Sequence, residues 1–405
     1  MNRKNVWIIN QYGSTPETGM GGRCFYFSKE LSNIGHKVTM ISGTPHHLLR
    51  DYFKVGFWGD IEQRSNFQVL WLKLFSYSGA HSILRGLNWF LFSFKLAFVS
   101  KRKLGRPDVV FVSSPSPFSF IGAMLIAKRY NAKLIIDIRD IWPLTLKRLG
   151  GYSDKNPLVR LMSFIERKAY RGADHITSNL IQAFQHVDRI NGRKKNFTWL
   201  PNGIDVDEVS NSKPLDSHVD SLFPNSDFVV GYAGTLGVAN SIDTLIDAAA
   251  LLENHSQISF VIVGDGKEKE RLVQKVKSLK LNNVTFINSV SKNQVQSVLN
   301  VFDACFLGWN DSSLYEFGIG ANKIPEYMYS GTPILHSFSG NGDPIDKYGC
   351  GLTVKAEDPV ALRDGVLKLF NMNTDQRESL GAKGRKTAIE IYDYKKIAEK
   401  LASIF

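Results

Sequence analysis

Apolar residues fall along this chain in short unbroken runs that alternate with longer amphipathic segments, and both halves repeat the scheme. In the first half NVWIIN leads through a glycine-containing loop into RCFYFSKELSNIG and then KVTMIS. Further on, DVVFVSS, FIGAMLIAKRY and LIIDI follow in the same order. Short apolar runs bounded by turn signals predict buried strands, and strand, helix, strand at this spacing predicts the βαβ unit of a parallel sheet. The polar, aperiodic stretch 209–227 (VSNSKPLDSHVDSLFPNSD) predicts a linker. A second set follows it: FVVGYAG, SIDTLIDAAALLE, FVIVGDG, KEKERLVQKVKSLK, VTFIN, NQVQSVLNVF, ACFLGW and PILH. A chain of 405 residues exceeds one ordinary core. The pattern therefore predicts an α/β protein of two Rossmann-like doubly wound domains, 1–208 and 209–385, with a helix over 386–405 packing back. Open α/β sheets bind ligands outside the carboxyl ends of their strands, so a cleft between the two sheets is the expected site.

Composition narrows the setting. Cys24, Cys305 and Cys350 lie far apart with no C-x-x-C spacing, which argues against a disulfide framework or a zinc site and for a reducing compartment. The basic start MNRKNVWIINQYG has an apolar run too short for a secretion signal and reads as a first strand. Charge is divided unevenly: residues 1–200 hold 30 Lys and Arg against 12 Asp and Glu, a balance of +18, and the remainder carries −6. The first half is thus suited to an anionic partner, whether nucleic acid, a membrane surface or a phosphorylated lipid. The stretch 81–107 (HSILRGLNWFLFSFKLAFVSKRKLGRP) mixes apolar residues with Arg85, Lys95 and the run Lys101, Arg102, Lys103. Its charges keep it short of a membrane span. Two readings stay open: a peripheral membrane contact, or a core helix with a basic end.

Candidate chemistry concentrates at predicted strand ends. Gly19, Gly21 and Gly22 group in the first loop, where a missing Cβ lets backbone approach a phosphate or sugar. The string is not G-x-G-x-x-G and no acidic residue follows the second strand, which disfavours a dinucleotide site. Gly234 and Thr235 in YAGTLGVAN, and Gly264 and Gly266 in VGDGKEKERL, mark two further strand-to-helix turns. NKIPEYMYSGTP (322–333) predicts a short helix capped by Asn322 and stopped at Gly331 and Pro333, with Lys323 and Glu326 in its first turn. Such an N-terminus is an anion site, and Glu326 can accept hydrogen bonds from hydroxyls. LIIDIRDIWP places Asp137, Arg139 and Asp140 at the end of a buried strand, as a paired structural cluster or as a site using Arg139 against phosphate and a carboxylate against a sugar hydroxyl. Asp205 and Asp207 spell D-x-D in a connector, and His46 and His47 are adjacent; neither pattern is assigned a metal.

In order along nearly the whole chain, GMGGRCFYFSKELSNIGHKVTMISG, SSPSPF, DIRDIWP, RGADHITSN, LPNGID, YAGTLG, VGDGKEKERL and NKIPEYMYSGTPIL resemble bacterial glycosyltransferases of family 4, with the GT-B fold of two Rossmann-like domains facing a central cleft. The resemblance is closest to the polysaccharide-assembly branch with its WbuB-type transferases of N-acetyl-L-fucosamine. It implies retaining, metal-independent transfer of a sugar from a nucleoside diphosphate donor, taken as a UDP-sugar, with no cofactor. The implied acceptor is a polyprenyl-diphosphate-linked saccharide. The implied setting is the inner face of the cytoplasmic membrane, with an anionic lipid surface and not nucleic acid as partner.

The candidate donor-binding residues are thus Gly21, Gly22, Gly234, Thr235, Gly264, Gly266, Asn322, Lys323 and Glu326, and the candidate catalytic residues Arg139, Asp140 and Lys323; the resemblance implies that the second domain holds the nucleotide and the first the acceptor. Glu326 matches the second of two family glutamates and is expected on the ribose hydroxyls; Gly318 stands where the first belongs, with Glu316 out of register. YAGTLGVANSIDT lacks the Arg and Lys that many relatives carry there, and Arg139 falls where they often carry histidine. A hexosamine epimerase of the same fold and a non-catalytic binding partner of an assembly complex are the alternatives.

Overall fold

The computed structural model describes residues 2–19, 21–50, 54–77 and 82–405. The chain forms two compact units, residues 1–201 with 394–405 and residues 202–393. The first is built on eight strands: β1 (Asn5–Ile9), β2 (Lys37–Thr44), β3 (Asp60–Gln63), β4 (Gln68–Lys73), β5 (Val109–Ser113), β6 (Lys133–Ile138), β7 (His175–Ser178) and β8 (Phe197–Trp199). They lie in the order β3-β4-β2-β1-β5-β6-β7-β8, parallel except for the β3–β4 pair. Helices α1 (Arg23–Asn33), α2 (Ile83–Ala97), α3 (Lys101–Leu104) and α4 (Ser119–Tyr130) belong to this unit. Every residue of β5 is buried, as strands covered on both faces require.

The second unit holds six parallel strands, β9 (Phe228–Ala233), β10 (Ile258–Val263), β11 (Val284–Ile287), β12 (Ala304–Gly308), β13 (Ile334–Ser337) and β14 (Gly351–Val354), in the order β11-β10-β9-β12-β13-β14. Its core gathers Phe228, Tyr232, Phe260, Ile262, Phe306 and Leu335 under the covering helices.

The junctions differ from the sequence division at 208/209. Residues 202–208 belong to the second unit because Asn202 Nδ2 donates to the Gly320 carbonyl at 2.6 Å and Ile204 N to the Tyr392 carbonyl at 2.9 Å. The predicted single helix over 386–405 is two: Thr374–Ile391 stays with the second unit and Tyr394–Ala402 joins the first. There Tyr394 stacks on Tyr26 at 4.6 Å between ring centroids, and Ile397 and Leu401 are buried. Two such aliphatic side chains contribute on the order of 1.5–3 kcal/mol each.

Candidate active site

In the second unit one short helix, Lys323–Ser330, is tied to the end of β9 by two side chains a turn apart. Tyr327 accepts from Ala233 N at 2.8 Å and donates to the Ala233 carbonyl at 2.9 Å. Lys323, at i−4 and so on the same face, donates from Nζ to the Tyr232 hydroxyl at 2.7 Å and to Asn240 Oδ1 at 2.6 Å. Tyr232 and Asn240 both then donate to the Thr235 carbonyl, at 2.6 and 2.9 Å. The ammonium also sits 4.6 Å from the centroid of the Tyr232 ring. Burial pulls the Lys323 pKa down to about 8, against the opposing influence of Glu326. No acidic side chain forms an ion pair with it among the described residues.

The glycines have separate reasons. A Cβ on Gly234 would lie 2.3 Å from Lys323 Cε, so this glycine makes room for the lysine stem. Cβ atoms on Gly264 and Gly266 would meet the carbonyl oxygens of Gly234 and Leu236 at 1.9 and 2.1 Å. These two glycines let the loops after β9 and β10 lie backbone against backbone. Asn322, predicted as a cap, instead has helical backbone angles, is exposed and makes no capping bond. The first-turn N–H groups therefore have neither intrahelical nor side-chain partners. Gly331 closes the helix in the left-handed conformation as expected.

Glu326 is half-buried at the wall of a small open pocket shared with Glu208, Lys292 and Gln296. Burial raises its pKa; Lys292 and Lys323 counter this, and Glu208 adds to it. Its carboxylate accepts no hydrogen bond from a described residue, which leaves it available to ligand hydroxyls. Gln296 Nε2 donates to the Glu326 carbonyl at 3.1 Å and fixes the turn that carries it. Lys292 and Glu208, 3.0 Å apart, were not singled out by sequence reasoning, nor were Tyr232 and Asn240. Asn240 lies 83 residues from the lysine it holds, and no local pattern signals that contact. Gly318 ends a short 3-10 turn over Ser313–Phe317 with φ +96°, and the Glu316 carbonyl accepts from Asn341 Nδ2 at 3.1 Å.

The remaining candidates lie in the first unit. Gly21 and Gly22 have φ +70° and +96°, and a Cβ on Gly22 would meet nothing, so backbone conformation alone accounts for these glycines. Arg23, which follows them, is buried against Asp137, with Nη2 to Oδ1 at 2.7 Å and Nε to Oδ2 at 3.0 Å; Nη1 donates to the Pro201 carbonyl at 2.7 Å. Ser113 and Thr177 hydroxyls each donate to Asp137 at 2.8 Å. Burial alone would raise the Asp137 pKa, but the Arg23 charge and these hydrogen bonds outweigh it and hold the carboxyl below its usual range. Of the two readings of DIRD, Asp137 takes the structural one. Arg139 is different: its side chain makes no ion pair with a described residue, and its Nε is buried without a hydrogen-bond partner. Ser114 Oγ accepts from the N–H groups of Arg139 and Asp140, at 2.8 and 3.4 Å, and Asp140 is exposed.

Two patterns from the metal reading have local roles. Asp205 caps the helix Val206–Ser210 by accepting from Glu208 N at 3.1 Å. His46 is buried against the Gly13 carbonyl at 3.1 Å, and burial lowers its pKa to about 4. Among the described residues no three His, Cys, Asp or Glu side chains come together as a metal site, and no helix is long and apolar enough to cross a membrane.

The sheets match known proteins along the full chain. Sucrose-phosphate synthase from Thermosynechococcus elongatus superposes with a TM-score of 0.74 at 16% identity, over 99% of this chain and 98% of its own. HepE from Anabaena, in complex with UDP and glucose, gives 0.66 at 14% identity over 99% of each chain. An E. coli structure bound with UDP-2-fluoro glucose gives 0.71 at 11% identity over 98% of each chain. No curated protein sequence matches the chain. These likenesses define the class: the two Rossmann-like units are those of a GT-B protein. Residues 216–387 match the family model "Glycosyl transferases group 1", and residues 18–208 match "Glycosyltransferase Family 4". The chain belongs to glycosyltransferase family 4, and is a retaining, metal-independent enzyme that transfers a sugar from a nucleotide sugar.

Proposed function

We propose that this enzyme moves a sugar from a UDP-sugar, with an N-acetylated deoxyhexosamine such as N-acetyl-L-fucosamine as the donor sugar, onto a polyprenyl-diphosphate-linked saccharide. The product feeds bacterial surface polysaccharide, O-antigen or capsule, at the inner face of the cytoplasmic membrane. The observation that carries the donor half is the half-buried Lys323, in no ion pair with a described residue, beside the uncapped first turn of its helix, with the Glu326 carboxylate, which accepts no hydrogen bond from a described residue, in the same turn. A diphosphate fits the first and ribose hydroxyls the second. UDP is supported by the ligands of the HepE and E. coli structures.

In the reaction the anomeric C–O bond breaks and its electron pair passes to the β-phosphate oxygen. Lys323 and the helix N–H groups are aimed at that growing negative charge, the largest contribution a protein makes to such a step. The acceptor hydroxyl oxygen bonds to the anomeric carbon from the same face, and its proton goes to the departing phosphate oxygen. Arg139, whose buried Nε has no hydrogen-bond partner, and Asp140, exposed beside it, are assigned to catalysis in the first unit, Arg139 against phosphate charge and Asp140 against a sugar hydroxyl.

Purified enzyme, a membrane lipid extract and a panel of radiolabelled UDP-sugars test this. A lipid product shifted on chromatography with one donor is expected. UDP binding with no product from any donor would move the assignment to a binding partner, and release of an epimerised sugar nucleotide without acceptor to an epimerase.

A further inference from the structure

The polarity of α2 is inverted relative to a helix that faces water. Its exposed positions, continued by the residue that caps it, are Leu84, Leu87, Phe90, Phe94 and Phe98, spaced three and four apart and therefore one stripe. No charged residue interrupts that stripe. The lysine of its last turn, Lys95, is turned inward instead and is 3% exposed. Lys95 Nζ donates to the Phe57 carbonyl and lies 4.4 Å from the centroid of the Phe57 ring. It thereby fixes the loop that carries Phe57 and Trp58, themselves 69% and 55% exposed. Trp58 meets Phe98 at 6.1 Å, and Phe98 meets Phe94 at 4.9 Å, so loop and helix form one continuous aromatic surface.

A basic cluster adjoins one end of the stripe. Lys101, Arg102 and Lys103 are exposed on α3 directly after α2, and Arg129 on α4 is tied to the end of α2 by donating to the Ala97 carbonyl at 2.6 Å. Contiguous exposed apolar surface is rare on soluble proteins and marks an interaction site. Aromatic side chains beside exposed cations match the acyl and headgroup layers of an anionic bilayer. The opposite face of α2 reaches the strand ends: Trp89 Nε1 donates to the Tyr12 hydroxyl at 2.7 Å and Arg85 Nε to the same oxygen at 3.4 Å.

We propose that Leu87, Phe90, Phe94, Phe98 and the Phe57–Trp58 loop insert into the surface of an anionic membrane, with Lys101, Arg102, Lys103 and Arg129 on its headgroups. Insertion sets Arg85 and Trp89, and with them the loop after β1, at the depth of a lipid-diphosphate headgroup. This deepens the proposed function and rests on its lipid-linked acceptor.

The test is flotation of the full chain with phosphatidylglycerol/phosphatidylcholine vesicles and with pure phosphatidylcholine, for wild type, Leu87→Ser/Phe94→Ser and Lys101→Ser/Arg102→Ser/Lys103→Ser. Wild type is expected to float only with the anionic vesicles. The charge variant should lose roughly fivefold in partitioning per residue, and the apolar variant should stay at the bottom of the gradient. Both variants should keep wild-type UDP affinity, which separates loss of docking from loss of fold. Equal flotation of wild type and variants, or no flotation of wild type, overturns the proposal. So does a concentration-dependent dimer abolished by Leu87→Ser/Phe94→Ser, since a second copy would then occupy the face. Flotation without transfer to any lipid acceptor would leave docking standing and remove the acceptor reading.

Discussion

Replacing Lys323 by Met should make the protein more stable and the enzyme far slower. Burial lowers the lysine pKa from 10.5 to about 8. A shift of that size corresponds to about 3 kcal/mol of unfavourable charged-state environment, an upper bound because the side chain keeps some solvent contact. The sign follows from linkage: between pH 8 and 10.5 the unfolded chain holds more protons than the folded one, so stability rises with pH there, and below it the charged lysine is a net load. Methionine keeps the stem that fits beside Gly234 and Tyr232 and removes the load. Differential scanning calorimetry at pH 7 should show the second unit unchanged or higher by a few degrees. Removing one preorganised donor to a leaving group costs on the order of 10²–10³ in rate, so kcat/KM for the UDP-sugar should fall by that factor. A variant that unfolds earlier yet turns over at the wild-type rate would make Lys323 a structural lysine instead.

The same pKa makes UDP affinity for the free enzyme fall as pH rises through about 8, with proton uptake on binding along that falling limb and none through Lys323 well below it; calorimetry in buffers of different ionisation enthalpy checks it, and Lys323→Met should flatten the profile. Glu326→Gln should raise the donor KM by roughly 10–100-fold, the worth of a charge-assisted hydrogen bond, with a smaller change in kcat; unchanged steady-state kinetics would remove Glu326 from the ribose. Arg23→Ala strands buried Asp137 and should cost about 3–5 kcal/mol in urea unfolding of the first unit, while Arg23→Met with Asp137→Leu should recover most of it. Equal stability of the single and double variants would contradict the ion-pair account.

Much of the layering was legible because buried parallel strands are written as short apolar runs; NVWIIN, DVVFVSS and FVVGYAG each contain a strand, and FVIVGDG holds the last four residues of β10. The β3–β4 hairpin was not, since DIEQ pairs antiparallel at an edge and lacks an apolar run. Within the candidate site, Lys323 and Glu326 stood out because a helix start leaves a local signature. Their partners did not, because Tyr232 and Asn240 arrive by tertiary contact from the β9 turn. Asp137 and Asp140 look equivalent in DIRD, but only the fold brings Arg23 across 114 residues to neutralise one and not the other. Gly264 and Gly266 read as ligand glycines, whereas their tightest constraint is the backbone of the neighbouring loop. Helix α2 is a core helix on the side of Asn88, Phe92 and Leu96 and an exposed apolar surface on the other, a division that composition alone does not reveal.

The most direct test of the donor site is a crystal structure of the full chain with a UDP-sugar. A β-phosphate oxygen is expected within hydrogen-bond distance of Lys323 Nζ and of first-turn N–H groups, with both ribose hydroxyls donating to Glu326. Nucleotide bound elsewhere, with Lys323 still held only by Tyr232 and Asn240, would contradict it.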